Sequence, residues 1–307
     1  MSRNARARLA WLAAAAVIVA SLTGCGPARF NAPKEKSAKR IEVVASTDVW
    51  GEIAKEIGGD KVHVTTIIRD GSVDPHLYEP TAADAAAIAK AQVVVMNGAG
   101  YDDFMYRLVR GAGTKPSIVI AQKEMHATGK NVNPHLWYAL ANMPDVADSM
   151  ARAFAHYDPA GASAFQGRSA KFEDALFPVF DVVRQISRKY RNAPVAYTER
   201  LPQYLLVLAG LRNVTPPGFA QSVENGTNPS PADTQAMYSL ISEHKIKLLI
   251  YNTQTVSATT SNVKARAEKA GIPVVGLAET MPTSQPNFAA WMRGQAQEIL
   301  AALNRSR

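Results

Sequence analysis

Cysteine is nearly absent from this chain, because Cys25 is the only one in 307 residues. A single cysteine cannot close a disulfide within the chain, which excludes a disulfide-stapled scaffold. Residues 41–307 contain 26 basic and 25 acidic residues, so nucleic-acid binding has no electrostatic basis. After residue 24, no segment has the roughly 20 consecutive apolar residues that a membrane-spanning helix needs. These absences leave a globular body of ordinary composition.

Common local signatures of catalysis are absent as well. The chain has no His-Glu-x-x-His pair, no Gly-x-Ser-x-Gly nucleophile turn and no glycine-rich phosphate loop. We therefore expect a binding protein rather than an enzyme.

The N-terminus has the pattern of an export signal. Arg3, Arg6 and Arg8 precede an apolar stretch at residues 10–22, with no acidic residue among them. This stretch is shorter than the roughly 20 residues of a spanning helix. The following Leu22-Thr-Gly-Cys25 resembles the lipobox of bacterial lipoproteins, in which the cysteine receives a lipid and the preceding segment is removed. We expect a signal peptide at residues 1–24 and lipidation of Cys25; an ordinary secretory signal with a chance cysteine is the alternative.

From residue 41 onward, short β-rich runs alternate with helical patterns, as is typical of parallel sheets covered on both faces. The predicted strands are residues 41–46, 62–68, 92–96, 117–121, 195–198, 247–251 and 274–277. The predicted helices include residues 49–57, 101–109, 203–210, 231–244, 262–270 and 287–303, and an Ala-rich helix capped by Thr81 and Asp84. Residues 158–190 indicate one long helix, which Pro178 should kink or interrupt.

The long helix divides the alternating pattern into halves, which predicts two Rossmann-like α/β lobes with mainly parallel sheets. We expect a lipidated cysteine and polar tether at residues 25–40, because this stretch contains proline and charge but no apolar periodicity. The N-terminal lobe is predicted at residues 41–157, the connecting helix at 158–191 and the C-terminal lobe at 192–307.

Ligands of open α/β sheets bind beyond the carboxyl ends of the strands, so residues that follow strands are candidates for a site. This criterion selects His76, His135, Glu199 and Glu279. Two imidazoles from the first lobe and two carboxylates from the second make a complete metal shell in the interlobe cleft. Each residue also has an ordinary interpretation. A histidine after a strand can lie at the surface, Glu199 can pair with Arg200, and Glu279 can cap a turn.

Several longer stretches resemble the metal-binding lipoproteins of zinc and manganese ABC importers, often called the ZnuA/TroA-like or adhesin family. The matching stretches are Asp74-Pro-His-Leu-Tyr-Glu-Pro-Thr81, Asn133-Pro-His-Leu-Trp137, Tyr204-Leu-Leu206, Ala209-Gly-Leu211, Pro229-Ser-Pro231 and Ala278-Glu-Thr-Met-Pro282. The resemblance implies that His76, His135, Glu199 and Glu279 bind the metal. It also implies a monomer that is lipid-anchored at the periplasmic or outer face of the membrane, where it delivers the metal to a permease driven by a cytoplasmic ATPase.

The chain departs from the family pattern at three site positions. Asn133 stands where Asp is common, which predicts a weaker acceptor for an imidazole N–H. Glu199 stands where many zinc-binding relatives carry His, and Glu279 where Asp is common; residues 251–254 are the alternative source of an oxygen ligand. Two imidazoles and two carboxylates form a harder donor set than three imidazoles, so we expect Mn²⁺ to be slightly favoured over Zn²⁺ as cargo.

Two other functions are compatible with parts of the sequence. An exported metallohydrolase could use the same donors, although four protein ligands would leave a tetrahedral ion no position for water. A surface adhesin or host-contact lipoprotein would share the anchor but would make no use of the predicted cleft.

Overall fold

The structure is a computed structural model that describes residues 39–69, 73 and 78–306. The predictions for the signal peptide, most of the tether, Cys25 and His76 lie outside the described residues. None of the helices within the described ranges is long and apolar enough to cross a membrane.

The first half of the chain forms a parallel four-stranded sheet with the strand order β2-β1-β3-β4. The strands are β1 Ile41–Thr47, β2 Val62–Ile68, β3 Val93–Met96 and β4 Ser117–Ile120. The helices are α1 Asp48–Gly58, α2 Ala82–Ile88, α3 Phe104–Gly111, α4 Ala121–Glu124 and α5 Met143–Tyr157. The predicted capping pair is present, because Thr81 and Asp84 form a reciprocal capping box at α2.

The second half forms another parallel four-stranded sheet, with the order β6-β5-β7-β8. Its strands are β5 Pro194–Tyr197, β6 Arg212–Asn213, β7 Leu248–Asn252 and β8 Val274–Leu277. Its helices are α7 Gln203–Leu208, α8 Pro217–Glu224, α9 Pro231–Ser242, α10 Ala258–Lys269 and α11 Phe288–Arg305. The predicted α/β fold with two parallel-sheet lobes is confirmed.

One helix, α6 Ala162–Tyr190, lies between the two sheets in the sequence. Its 29 residues correspond to about 44 Å at 1.5 Å per residue. The helix continues through Pro178, so the predicted interruption is wrong. Leu176 and Val179 on either side of the proline are buried, and this packing holds the turn in place although one backbone donor is missing.

The apolar core extends continuously from the first sheet, over α6, to the second sheet. Phe165 and Phe172 on α6 are buried, and Phe172 stacks on Phe288 at the start of α11 with ring centroids 5.8 Å apart. The long helix thus packs against helices from both ends of the chain, which ties the two sheets to one body.

Candidate metal centre

Three of the four predicted ligands meet in the protein interior. His135 is 0 % exposed, and Glu199 and Glu279 are each 1 % exposed. Nε2 of His135 lies 3.4 Å from Oε1 of Glu199 and 3.9 Å from Oε2 of Glu279. One ligand atom from each residue lies within 4.8 Å of the others, so the three could hold one metal ion.

These distances can be compared with a metal shell. Two donors that each lie about 2.0–2.2 Å from a tetrahedral ion are roughly 3.3–3.6 Å apart. The separation of His135 from Glu199 falls in that range, and the separation from Glu279 is slightly longer. The chemistry of the donors and their spacing therefore fit a single divalent transition metal.

The two carboxylates lie at the carboxyl edge of the second sheet, after the two strands on either side of β7. Glu199 follows the end of β5 and Glu279 follows the end of β8, as the sequence predicts. His135 does not follow its strand directly, because β4 ends at Ile120 and α4 intervenes. Asn97 lies just past β3, and its Nδ2 donates a hydrogen bond of 2.8 Å to the carbonyl of Pro134. This bond holds the loop that carries His135 at the sheet edge.

Asn133 orients the imidazole of His135. Its Oδ1 accepts hydrogen bonds from Nδ1 of His135 at 2.8 Å and from the His135 backbone N–H at 3.1 Å. A proton on Nδ1 leaves the lone pair on Nε2, the atom that faces the carboxylates. The amide oxygen of Asn133 thus serves as the acceptor for the imidazole N–H, although it is a weaker acceptor than the carboxylate of an Asp.

Asn133 also connects the two halves of the site. Its Nδ2 donates to the carbonyl of Arg200 at 2.8 Å, next to Glu199. The same side chain therefore holds the imidazole from the first lobe and the segment that carries the carboxylate from the second.

Asn252 lies between the two carboxylates. Its Nδ2 is 2.6 Å from Oε2 of Glu199 and 2.7 Å from Oε1 of Glu279. Its Oδ1 accepts from the backbone N–H of Gln254, whose Oε1 in turn accepts from the backbone N–H of Glu279. The side-chain oxygens of Asn252 and Gln254 thus accept from backbone N–H groups, and an oxygen ligand from residues 251–254 stays the alternative to Glu279.

An aromatic residue closes the site from the first lobe. The hydroxyl of Tyr101 donates to Oε2 of Glu279 at 2.8 Å, and its ring lies edge-on to His135. Gly98 and Gly100, with φ of 78° and 81°, form the turn after β3 that brings Tyr101 to this position. Burial and the neighbouring Glu279 raise the pKa of Tyr101 well above 10, so the phenol stays neutral and remains a donor.

The charge of His135 depends on opposing effects. Burial lowers its pKa, but the hydrogen bond to Glu199 and the charges of Glu279 and Glu199 raise it, and the net direction is upward from 6.5. Protons therefore compete with a metal at this imidazole at a higher pH than they would at an ordinary histidine.

Arg200 does not pair with Glu199, which contradicts the ordinary interpretation of that carboxylate. Its guanidinium instead forms a two-pronged ion pair with Glu224, one bond of which is 2.8 Å long. Glu224 is the last residue of α8 and is 6 % exposed. The pairing leaves Glu199 directed towards His135.

The sequence analysis did not predict the hydrogen bonds that Tyr101 and Asn252 donate to the two carboxylates. Asn252 ends a strand, so the search beyond strand ends could have selected it as a residue that holds ligands. Tyr101 carried no such signal, because its partner Glu279 is far away in the sequence.

Several known proteins are similar to this chain. A family model described as "ZnuA: Zinc-uptake complex component A periplasmic" matches residues 43–302. The manganese-binding lipoprotein MntA of Bacillus subtilis is 29 % identical over 171 residues, which are 53 % of this chain and 55 % of that protein. The manganese ABC transporter substrate-binding lipoprotein scaA of Streptococcus gordonii is 25 % identical over 189 residues, which are 55 % and 59 % of the two chains. The chain thus spans little more than half the length of these relatives.

Solved structures share the fold. The Mn-bound S38A mutant of a periplasmic metal-binding protein from Candidatus Liberibacter asiaticus superposes with a TM-score of 0.73 at 19 % identity, over 86 % of this chain and 100 % of that one. FpvC from Pseudomonas aeruginosa, in complex with Ni²⁺, superposes with a TM-score of 0.73 at 22 % identity, over 87 % and 97 %.

Proposed function

Since this chain belongs to the ZnuA family of zinc-uptake complex components, we propose that it is the substrate-binding protein of a metal ABC importer. It captures a divalent transition metal outside the cytoplasm and delivers the ion to a membrane permease that a cytoplasmic ATPase drives. The observation that carries the proposal is the buried cluster of His135, Glu199 and Glu279, one imidazole from one lobe and two carboxylates from the other.

Charge is the reason that a cation is the favoured cargo. Two carboxyl groups in the interior are costly unless they are paired, hydrogen-bonded or bound to a metal. Asn252 and Tyr101 supply hydrogen bonds to them, and Nε2 of His135 faces both. We propose that His76 adds the fourth ligand, on the basis of its family motif.

Mn²⁺ or Zn²⁺ is the proposed cargo, with a slight preference for Mn²⁺. Carboxylates are hard donors that suit Mn²⁺, whereas the general order of affinities favours Zn²⁺ in water. The curated relatives above carry manganese in their names, which supports the same preference.

We propose that the protein acts as a monomer on a lipid at Cys25, with the tether at residues 25–40. The lobes are assigned to residues 41–157 and 192–307 and the connector to 158–191. An exported metallohydrolase is disfavoured because four protein ligands would leave a tetrahedral ion no position for a reactive water. An adhesin would make no use of a buried donor cluster, so adhesion takes second place.

Metal titration of the purified protein, residues 26–307, tests the proposal. Isothermal titration with Mn²⁺ and Zn²⁺ should show one site per chain, and His135→Ala and Glu199→Ala should each weaken both affinities at least 100-fold. His156 is exposed on α5, so His156→Ala is the matched control and should keep both affinities. Binding by His135→Ala at full strength would refute the assigned site. Normal metal uptake by a deletion strain would refute the importer function and favour adhesion.

A further inference from the structure

Asn252 occupies a special place in the second sheet. It is the last residue of β7, and β7 lies between β5 and β8, the strands that lead to Glu199 and Glu279. Its backbone N–H donates to Oγ1 of Thr198 at 3.1 Å, and its side chain is buried. A side chain at the end of the middle strand can reach the residues that follow both neighbouring strands.

The hydrogen-bond partners of both side-chain amide atoms of Asn252 determine which atom is nitrogen and which is oxygen. Two carboxylate oxygens lie within 2.7 Å of one amide atom, and carboxylates accept hydrogen bonds, so this atom is the nitrogen. The other amide atom lies 3.0 Å from the backbone N–H of Gln254, which needs an acceptor and identifies it as the oxygen.

The amide divides the four carboxylate oxygens into two sets. Oε2 of Glu199 and Oε1 of Glu279 are bound by Asn252. The other oxygen of each group, Oε1 of Glu199 and Oε2 of Glu279, is the one that lies near Nε2 of His135. Each carboxylate thus has one oxygen held by the amide and one oxygen turned to the imidazole, and on Glu279 the latter oxygen, Oε2, also accepts from the hydroxyl of Tyr101.

We propose that Asn252 is a specificity-determining residue that restricts Glu199 and Glu279 to one metal-binding oxygen each. The inference rests on the proposed function and deepens it. With one oxygen from each carboxylate beside Nε2 of His135, the described ligands suit an ion of low coordination number such as Zn²⁺. Mn²⁺ favours a larger, oxygen-rich shell, which two-oxygen carboxylate binding would supply. The amide therefore shifts the selectivity of an otherwise hard donor set towards Zn²⁺.

Replacement of Asn252 by alanine tests this role. The variant removes the amide donor from the second oxygen of both carboxylates, so the ratio of the Mn²⁺ dissociation constant to the Zn²⁺ dissociation constant should fall by about tenfold, the lower range for loss of a group that supports metal ligands. Asn252→Ser keeps a hydroxyl that can donate to one carboxylate and should give an intermediate ratio. Asn262 is exposed on α10, so Asn262→Ala is the matched control and should leave the ratio unchanged.

A second measurement separates selectivity from simple damage. X-ray absorption of the Zn²⁺ complex should show more oxygen neighbours in Asn252→Ala than in the parent protein. An equal loss of both affinities with an unchanged coordination number, or an unchanged ratio in both variants, would overturn the proposal. Failure of the proposed function is distinct, because His135→Ala would then bind both metals as the parent does.

Discussion

Replacement of Asn133 by alanine removes the acceptor that orients the imidazole of His135. The amide oxygen of Asn133 accepts hydrogen bonds from Nδ1 of His135 at 2.8 Å and from the His135 backbone N–H at 3.1 Å. Asn133 is 6 % exposed. Without it, the ring can rotate and its tautomer is no longer determined. Loss of such a supporting partner typically lowers metal affinity about 10- to 100-fold, or about 1.4–2.8 kcal/mol.

The same change should destabilise the metal-free protein. The backbone N–H of His135 and the carbonyl of Arg200 each lose a hydrogen bond to the Asn133 side chain. Each unsatisfied buried polar group costs about 1–3 kcal/mol, so with two such groups we expect the free energy of unfolding to fall by about 2–6 kcal/mol.

Two assays measure these effects separately. Competition with a chromogenic chelator gives the Zn²⁺ affinity, and urea denaturation of the metal-free protein gives the stability. Asn133→Asp keeps an acceptor for the imidazole and should retain affinity within tenfold of the parent, and Asn262→Ala serves as the exposed control. If Asn133→Ala bound Zn²⁺ within twofold of the parent while His135→Ala did not bind, the inferred orientation of the ring by Asn133 would be refuted.

Three further predictions concern the hydrogen bond from the Met281 backbone to Asp48, the buried ion pair of Arg200 and Glu224, and the lipid anchor at Cys25. Burial raises the pKa of the Asp48 carboxyl group from 3.8 to about 7, although this carboxyl group accepts a hydrogen bond from the Met281 backbone N–H. The folded protein therefore holds the Asp48 proton more tightly than the unfolded chain does. The resulting stabilisation is complete below about pH 4 and is lost as the pH rises through 7. The free energy of unfolding of the parent protein should fall between pH 5 and 8, and in Asp48→Asn this fall should be smaller by about 1–2 kcal/mol. Urea titrations that gave the same pH profile for both proteins would contradict this prediction. Arg200→Ala leaves Glu224 buried without its cation, so the free energy of unfolding measured with denaturant should fall by about 2–4 kcal/mol. The double variant Arg200→Ala, Glu224→Gln should recover part of this loss. Additive effects of the two changes would count against the pairing. Cys25→Ser should move the protein from the membrane fraction to the medium or periplasm with unchanged metal affinity, and persistent membrane association would argue against lipidation.

Local sequence patterns predicted most of the regular structure because their causes are local. Continuous apolar runs such as residues 93–96 and 248–251 indicated buried parallel strands, and the structure confirms them. Helix α8 was missed because Pro216, Pro217 and Gly218 have the composition of a turn. Pro217 is nevertheless compatible with a helix at its first position, where its missing N–H has no intrahelical partner.

Part of the candidate site was also predictable. Glu199 and Glu279 each lie two residues past the end of a strand, so topology alone places them at one sheet edge. The position of His135 could not be predicted from strand order, because α4 and a loop separate this residue from β4. A hydrogen bond from Asn97 to the carbonyl of Pro134 holds the loop at the sheet edge. Contacts of this kind join residues far apart in the sequence, and no local periodicity records them.

The sequence by itself determined the α/β alternation, the family and the types of donor that a metal could meet, since these follow from residue types and short-range order. The tertiary structure decided how the donors are used. It paired Arg200 with Glu224 rather than Glu199, and it turned the Asn252 amide nitrogen towards both carboxylates. The direction of one amide depends on every hydrogen-bonding group that packing brings around it, and only the folded chain assembles that set.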